Sequence, residues 1–128
     1  MYEKQLEAME RLFGVMDRLR VECPWDREQT FESLRNNTIE ETFELTDAIT
    51  DGDMDGIREE LGDLLFALVN MARLYGIDPE NALERSNKKF IRRFEHIEKR
   101  ADEQGVELTK MPLEEMEAYW QEAKREER

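Results

Sequence analysis

The sequence predicts an all-α protein, a four-helix bundle with an additional C-terminal helix. Three observations predict it. Apolar residues recur with the helical period along most of the chain. The three prolines stand apart at 24, 79 and 112, where they divide long helical stretches. No segment alternates apolar and polar residues as a strand does, and no repeat or low-complexity linker interrupts the pattern.

Each element follows from its own residues. Over residues 3 to 21, Leu6, Met9, Leu12, Phe13, Met16 and Leu19 fall on one stripe. The run CPWD ends that helix, because Pro24 lacks a donor and restricts Cys23. A second helix is expected from about Thr38 to Thr50, after a short turn at 28 to 35, with DGDMDG as the turn that follows. A third spans roughly Ile57 to Tyr75 and stops at Gly76. Its middle, LLFALV, is apolar on all sides, which predicts burial. Asp78 as N-cap and Pro79 at the first helical position start a fourth helix, which runs to about Glu103. A last helix begins near Pro112. The 128 residues read as one domain, 1–128.

Composition narrows the function. There are 32 acids against 19 lysines and arginines, a formal net charge of -13. Such a field repels nucleic acid and anionic membranes and attracts cations. One cysteine, Cys23, forms no internal disulfide and reads as a small packed side chain. The N-terminal stretch is charged from its third residue, and LLFALV is too short to span a bilayer. The expected location is the cytoplasm, with no nucleic-acid or membrane partner.

Four acids, Glu41, Glu44, Glu60 and Asp63, form two pairs at spacing i, i+3. With this many acids such a pair arises about eight times by chance, so spacing alone is a weak motif. Position favours a site over a solvated surface. Glu41 and Glu44 flank Ala48 beside Leu45, away from the polar edge at Glu40 and Asp47, and Glu60 and Asp63 bracket Ala67. Carboxylates gathered on packing faces repel one another and lose hydration, and a divalent ion resolves that conflict. Oxygen-only ligands select a hard ion, Mg²⁺ or Mn²⁺.

In the fourth helix, Arg85, Lys89, Arg92, Arg93, His96 and Arg100 share one side, with Phe90, Phe94, Ile97 and Ala101 opposite. Pairing with Glu95 and Glu98 along the helix accounts for some of these cations. A phosphate clamp is the functional reading, since a metal facing basic side chains suits a polyphosphate ester. His96, the one histidine, reads as an exposed neighbour on that stripe. Trp25 either stacks on a base or anchors its loop, and Trp120 reads first as a core anchor. No Ser/His/Asp or Cys/His constellation occurs, so water is the expected nucleophile.

The run EETFE, fifteen residues, then ELGD resembles the all-α nucleoside triphosphate pyrophosphohydrolases of the MazG type, whose pattern is EExxE, a spacer, then ExxD. CPWDREQTFESL, SNKKFIRRF and LEEMEAYWQEAKR also resemble that family's N-terminal segment, phosphate-binding helix and C-terminal helix. The resemblance implies Mg²⁺-dependent cleavage of a nucleoside triphosphate to a monophosphate and pyrophosphate. It implies metal ligation by Glu41, Glu44, Glu60 and Asp63, triphosphate contacts from Lys89 and Arg93 joined by Asn87, and a nucleotide contact from Trp120. Glu40 begins the family pattern but points away from Glu44, and its role stays open. Larger family members carry two modules. CPWD here resembles the first, and SNKKF through Trp120 the second. A narrower dUTP or phosphoribosyl-ATP pyrophosphohydrolase is the alternative enzyme, and a non-catalytic acidic helical interaction protein the alternative of another class. The apolar third helix predicts a homodimer or larger homo-oligomer.

Overall fold

The computed structural model describes residues 1–127, and these are helical almost throughout, with no strand among them. The chain divides into two compact units, Met1–Pro79 and the segment from Glu80 on.

In the first unit, α1 covers Glu3–Glu22 and buries Met16 from the predicted stripe. It ends at Cys23, whose extended backbone (φ -100°, ψ 113°) is the conformation that a following proline imposes. Pro24 then opens a short helix, α2, over Pro24–Glu28. The next helix, α3, covers Phe31–Asp51 and absorbs most of the expected turn at 28 to 35. Its early start has a local cause. The Thr30 hydroxyl accepts from the Ser33 N–H at 3.1 Å, and the Ser33 hydroxyl accepts from the Thr30 N–H at 2.9 Å, a reciprocal cap. Along α3, the hydroxyls of Thr38, Thr42, Thr46 and Thr50 each donate to the carbonyl four residues back, at 2.8 to 3.1 Å. Gly52 ends the helix with φ 67°, a left-handed conformation that costs glycine nothing.

Helix α4, Met54–Leu74, runs back antiparallel to α3. Phe31 and Tyr75 meet edge to face with centroids 4.4 Å apart, and the Tyr75 hydroxyl donates to the Phe31 carbonyl at 3.0 Å. Arg73 ties α4 to α1 by donating to the Phe13 carbonyl at 3.2 Å and pairing with Asp17. The LLFALV run is less covered than its composition predicts. Leu65 is 57% and Leu68 39% exposed, so packing against α3 leaves these two side chains uncovered.

The second unit is a helical hairpin. Helix α5 covers Pro79–Gln104, a 3₁₀ turn covers Leu108–Lys110, and α6 covers Leu113–Glu126. Ile97, Ala101 and Met111 form its buried core, with Leu108, Met116, Tyr119 and Trp120 packed around them. Ion pairs zip the two helices antiparallel: Arg100 with Glu122, and Arg92 and Arg93 with Glu127. No helix among the described residues is long and apolar enough to cross a membrane.

Candidate functional site

Antiparallel packing of α3 on α4 brings three of the four predicted acids together. One carboxylate oxygen each from Glu41, Glu60 and Asp63 lies within 4.8 Å of the others. Glu44, one turn beyond Glu41, sits against Glu60. Glu41 and Glu60 are half-buried, and Glu44 and Asp63 are exposed. One oxygen of Glu41 and one of Glu60 are sealed from solvent, without a hydrogen-bond partner among the described residues.

The electrostatics follow from that burial. Loss of hydration pushes the Glu41 carboxyl above its ordinary range, and the charges of Glu44, Asp63 and Glu40 push it the same way. Glu60 is raised first by burial, then by its contact with Glu44 and the charges of Glu44, Asp63 and Glu41. Among the described residues, no lysine or arginine is paired with any of the four. Orphaned inward oxygens on an all-oxygen donor set fit a hard divalent cation.

A cavity of about 270 Å³ opens beside the acids, lined by Trp25, Asn37, Glu41, Asp63, Phe66, Ala67 and Asn70. Behind it lies a polar pair that periodicity did not reveal. Asp26 is 2% exposed and accepts from the Asn70 side-chain amide at 3.3 Å, with Arg20 at 3.7 Å from its second oxygen. The one signal in the sequence is Asn70, a polar residue closing an apolar run.

In the second unit, the basic stripe is paired across to α6 more than along α5. The Arg93 side chain is only 13% exposed. Its guanidinium donates to both Glu127 oxygens at 2.9 to 3.3 Å and lies 5.3 Å from the Trp120 ring centroid. Arg93, then Arg92, holds the Glu127 carboxyl down at about 2. Lys89 is half-buried, its ammonium 5.7 Å from the Phe90 ring centroid, and Asn87 is exposed. Trp120 packs on Phe90 at 5.4 Å and on the buried core, so the anchoring role expected of it is present. His96 departs from expectation. It is not an exposed neighbour, because α6 covers it and leaves its side chain 15% exposed.

The sequence profile of the MazG nucleotide pyrophosphohydrolase domain matches residues 29–98, a span holding all four acids and both Lys89 and Arg93. A Thermotoga maritima protein named nucleoside triphosphate pyrophosphohydrolase/pyrophosphatase MazG is 37% identical over 99 residues, covering 77% of this chain and 36% of that protein. The Escherichia coli K12 nucleoside triphosphate pyrophosphohydrolase is 48% identical over 75 residues, 59% of this chain and 28% of its own length. An uncharacterised Bacillus subtilis protein, YabN, is 57% identical over 72 residues, 56% of this chain and 15% of that protein. The chain thus spans little more than a third, at most, of these relatives. The crystal structure of a MazG-related protein from Thermotoga maritima superposes with a TM-score of 0.73 at 29% identity, covering 91% of this chain and 98% of that one. With the acid pairs set on adjacent helices and more than half of the chain matched, this protein belongs to the MazG nucleotide pyrophosphohydrolase family.

Proposed function

We propose that the chain acts as one MazG-type module that hydrolyses nucleoside triphosphates to the monophosphate and pyrophosphate. In this reading Glu41, Glu44, Glu60 and Asp63 hold Mg²⁺, with Mn²⁺ an alternative. Lys89, Arg93 and Asn87 bind the triphosphate, and Trp120 contacts the nucleotide. The observation that carries it is the convergence of Glu41, Glu60 and Asp63, with one oxygen of Glu41 and one of Glu60 lacking a hydrogen-bond partner among the described residues.

When bound, the ion supplies positive charge to the phosphate oxygens. The chain's own groups account for the rest. Phosphoryl transfer is catalysed mainly by positioning and charge, which suits a donor set without a covalent nucleophile. The attacking water is polarised by the ion or gives its proton to one of the ligand carboxylates. Lys89 and Arg93 stabilise charge as it grows on the leaving pyrophosphate. Arg93 exchanges the Glu127 carboxylate for a phosphate as substrate binds.

The same reading includes a homodimer or larger assembly. Leu61, Leu65 and Leu68 form an exposed stripe on α4, and Ile39 and Phe43 are exposed on α3.

The test is pyrophosphate release across a panel of ATP, dUTP, phosphoribosyl-ATP and a damaged nucleotide, with and without Mg²⁺. Magnesium-dependent release from several nucleotides is expected. Turnover of dUTP or phosphoribosyl-ATP alone would establish the narrower enzyme. No release from any of them would leave a non-catalytic acidic binding protein.

A further inference from the structure

We propose that His96, Glu122 and Glu126 form a second cation site, specific for a borderline transition ion of the zinc class, which clasps α5 to α6. The three residues lie on facing sides of the hairpin. Glu122 and Glu126 stand one turn apart on α6, so both project toward α5, where His96 meets them. One ligand atom from each lies within 4.8 Å of the others. The His96 Nε2 is 3.3 Å from the Glu122 carboxylate, about the edge of a tetrahedron with zinc-like bond lengths. The Nδ1 is 3.8 Å from Glu126, whose side chain is 63% exposed and therefore has room to turn inward.

The histidine nitrogen points to a ligand rather than an ordinary ion pair. His96 Nε2 is sealed from solvent and has no well-formed hydrogen bond among the described residues: its one near partner, Glu122 Oε1 at 3.3 Å, is already held by Arg100. A buried, unsatisfied nitrogen calls for a partner that is not a protein atom. The donor set of one imidazole and two carboxylates favours zinc-class ions, whereas the oxygen-only cluster of Glu41, Glu60 and Asp63 favours magnesium. Arg100 donates to Glu122 Oε1 and orients that carboxylate, the service that outer partners give a metal ligand. A cavity of about 590 Å³, lined by His96 and Glu126 with Arg92 and Lys99 on its rim, opens on the Glu126 side and leaves that side chain room to move. This site stands independently of the hydrolytic activity proposed above.

The experiment is zinc binding to the full chain by equilibrium dialysis, in a large excess of Mg²⁺ and on a Cys23→Ser background that removes the thiol. One equivalent of zinc is expected, accompanied by a rise in melting temperature. His96→Asn and Glu126→Gln should each weaken binding about tenfold or more and abolish the rise. Asp63→Asn should leave both intact. If His96→Asn fails to fold, the exposed Glu126→Gln decides. Zinc bound as tightly by these variants as by the parent, or none bound by the parent, overturns the site.

Discussion

At the scale of single residues, the structure sets function against stability. Four like charges gathered without a counter-cation strain the metal-free protein, so removing one should cost activity but not the fold. Asp63→Asn should lower turnover by about two orders of magnitude or more, as losing one preorganised transition-state contact does. Its melting temperature in EDTA should equal or exceed that of the parent. Mg²⁺ should stabilise the parent by about 2.7 kcal/mol at a hundred times its dissociation constant, and the variant much less. Glu41→Gln adds a pH signature. The Glu41 carboxyl titrates above its ordinary value of 4.5, so its penalty is present at neutral pH. As pH falls through the raised value, protonation relieves the penalty, and it is gone near 4.5. Melting curves of both proteins in EDTA should therefore differ at neutral pH and converge in acid. On the basic helix, Lys89→Ala and Arg93→Ala should each cost about 2 to 4 kcal/mol in kcat/KM, Arg85→Ala clearly less, and Trp120→Ala should raise KM. Equal, small effects at Lys89, Arg93 and Arg85 would reduce the stripe to a solvated face. The acids were legible because helix periodicity places each on a face. The Asp26–Asn70 pair and the grip of Glu127 on Arg93 were not, since each joins residues more than thirty positions apart, and periodicity says nothing about which faces meet.

At the scale of elements, the turn at Gly52 fixes how α3 and α4 face each other and so how the acids converge. A side chain at Gly52 meets no neighbouring atom but suffers the left-handed backbone. Gly52→Ala should therefore destabilise by about 1 kcal/mol through strain alone, measurable by chemical denaturation. In the other hairpin, Glu127 works through charge. Its carboxyl titrates at about 2 when folded against 4.5 ordinarily, so its stabilisation is complete above 4.5 and disappears as pH falls toward 2. The stability gap between the parent and Glu127→Gln should be constant at neutral pH and shrink across that acid window. The order of the five long helices was legible from apolar period and proline placement, but the short α2 over Pro24–Glu28 was not, because five residues are too few to show a period. The start of α3 was not, because FESLRNN is too polar to show a stripe, and its cap uses Ser33 where the commoner signature has an acid or glutamine.

At the scale of the whole molecule, coverage of the apolar residues is incomplete. The all-helical class could be read from composition and period, but the exposure of Leu65 and Phe43 could not, since it depends on what each helix packs against. If copies of the chain supply the missing cover, sedimentation should give at least twice the 15.3 kDa chain mass, and Leu65→Lys should reduce it to a single copy. A chain that sediments as a monomer at every concentration would refute the assembly. The threonine row on α3 bears on how such an interface forms. Thr46 and Thr50 share a side with Ile39 and Phe43, and every hydroxyl of the row has already given its proton to its own helix. Water bound there is held weakly, so the surface wets readily in a lone chain and dries at little cost when another copy arrives, releasing solvent without leaving a donor stranded.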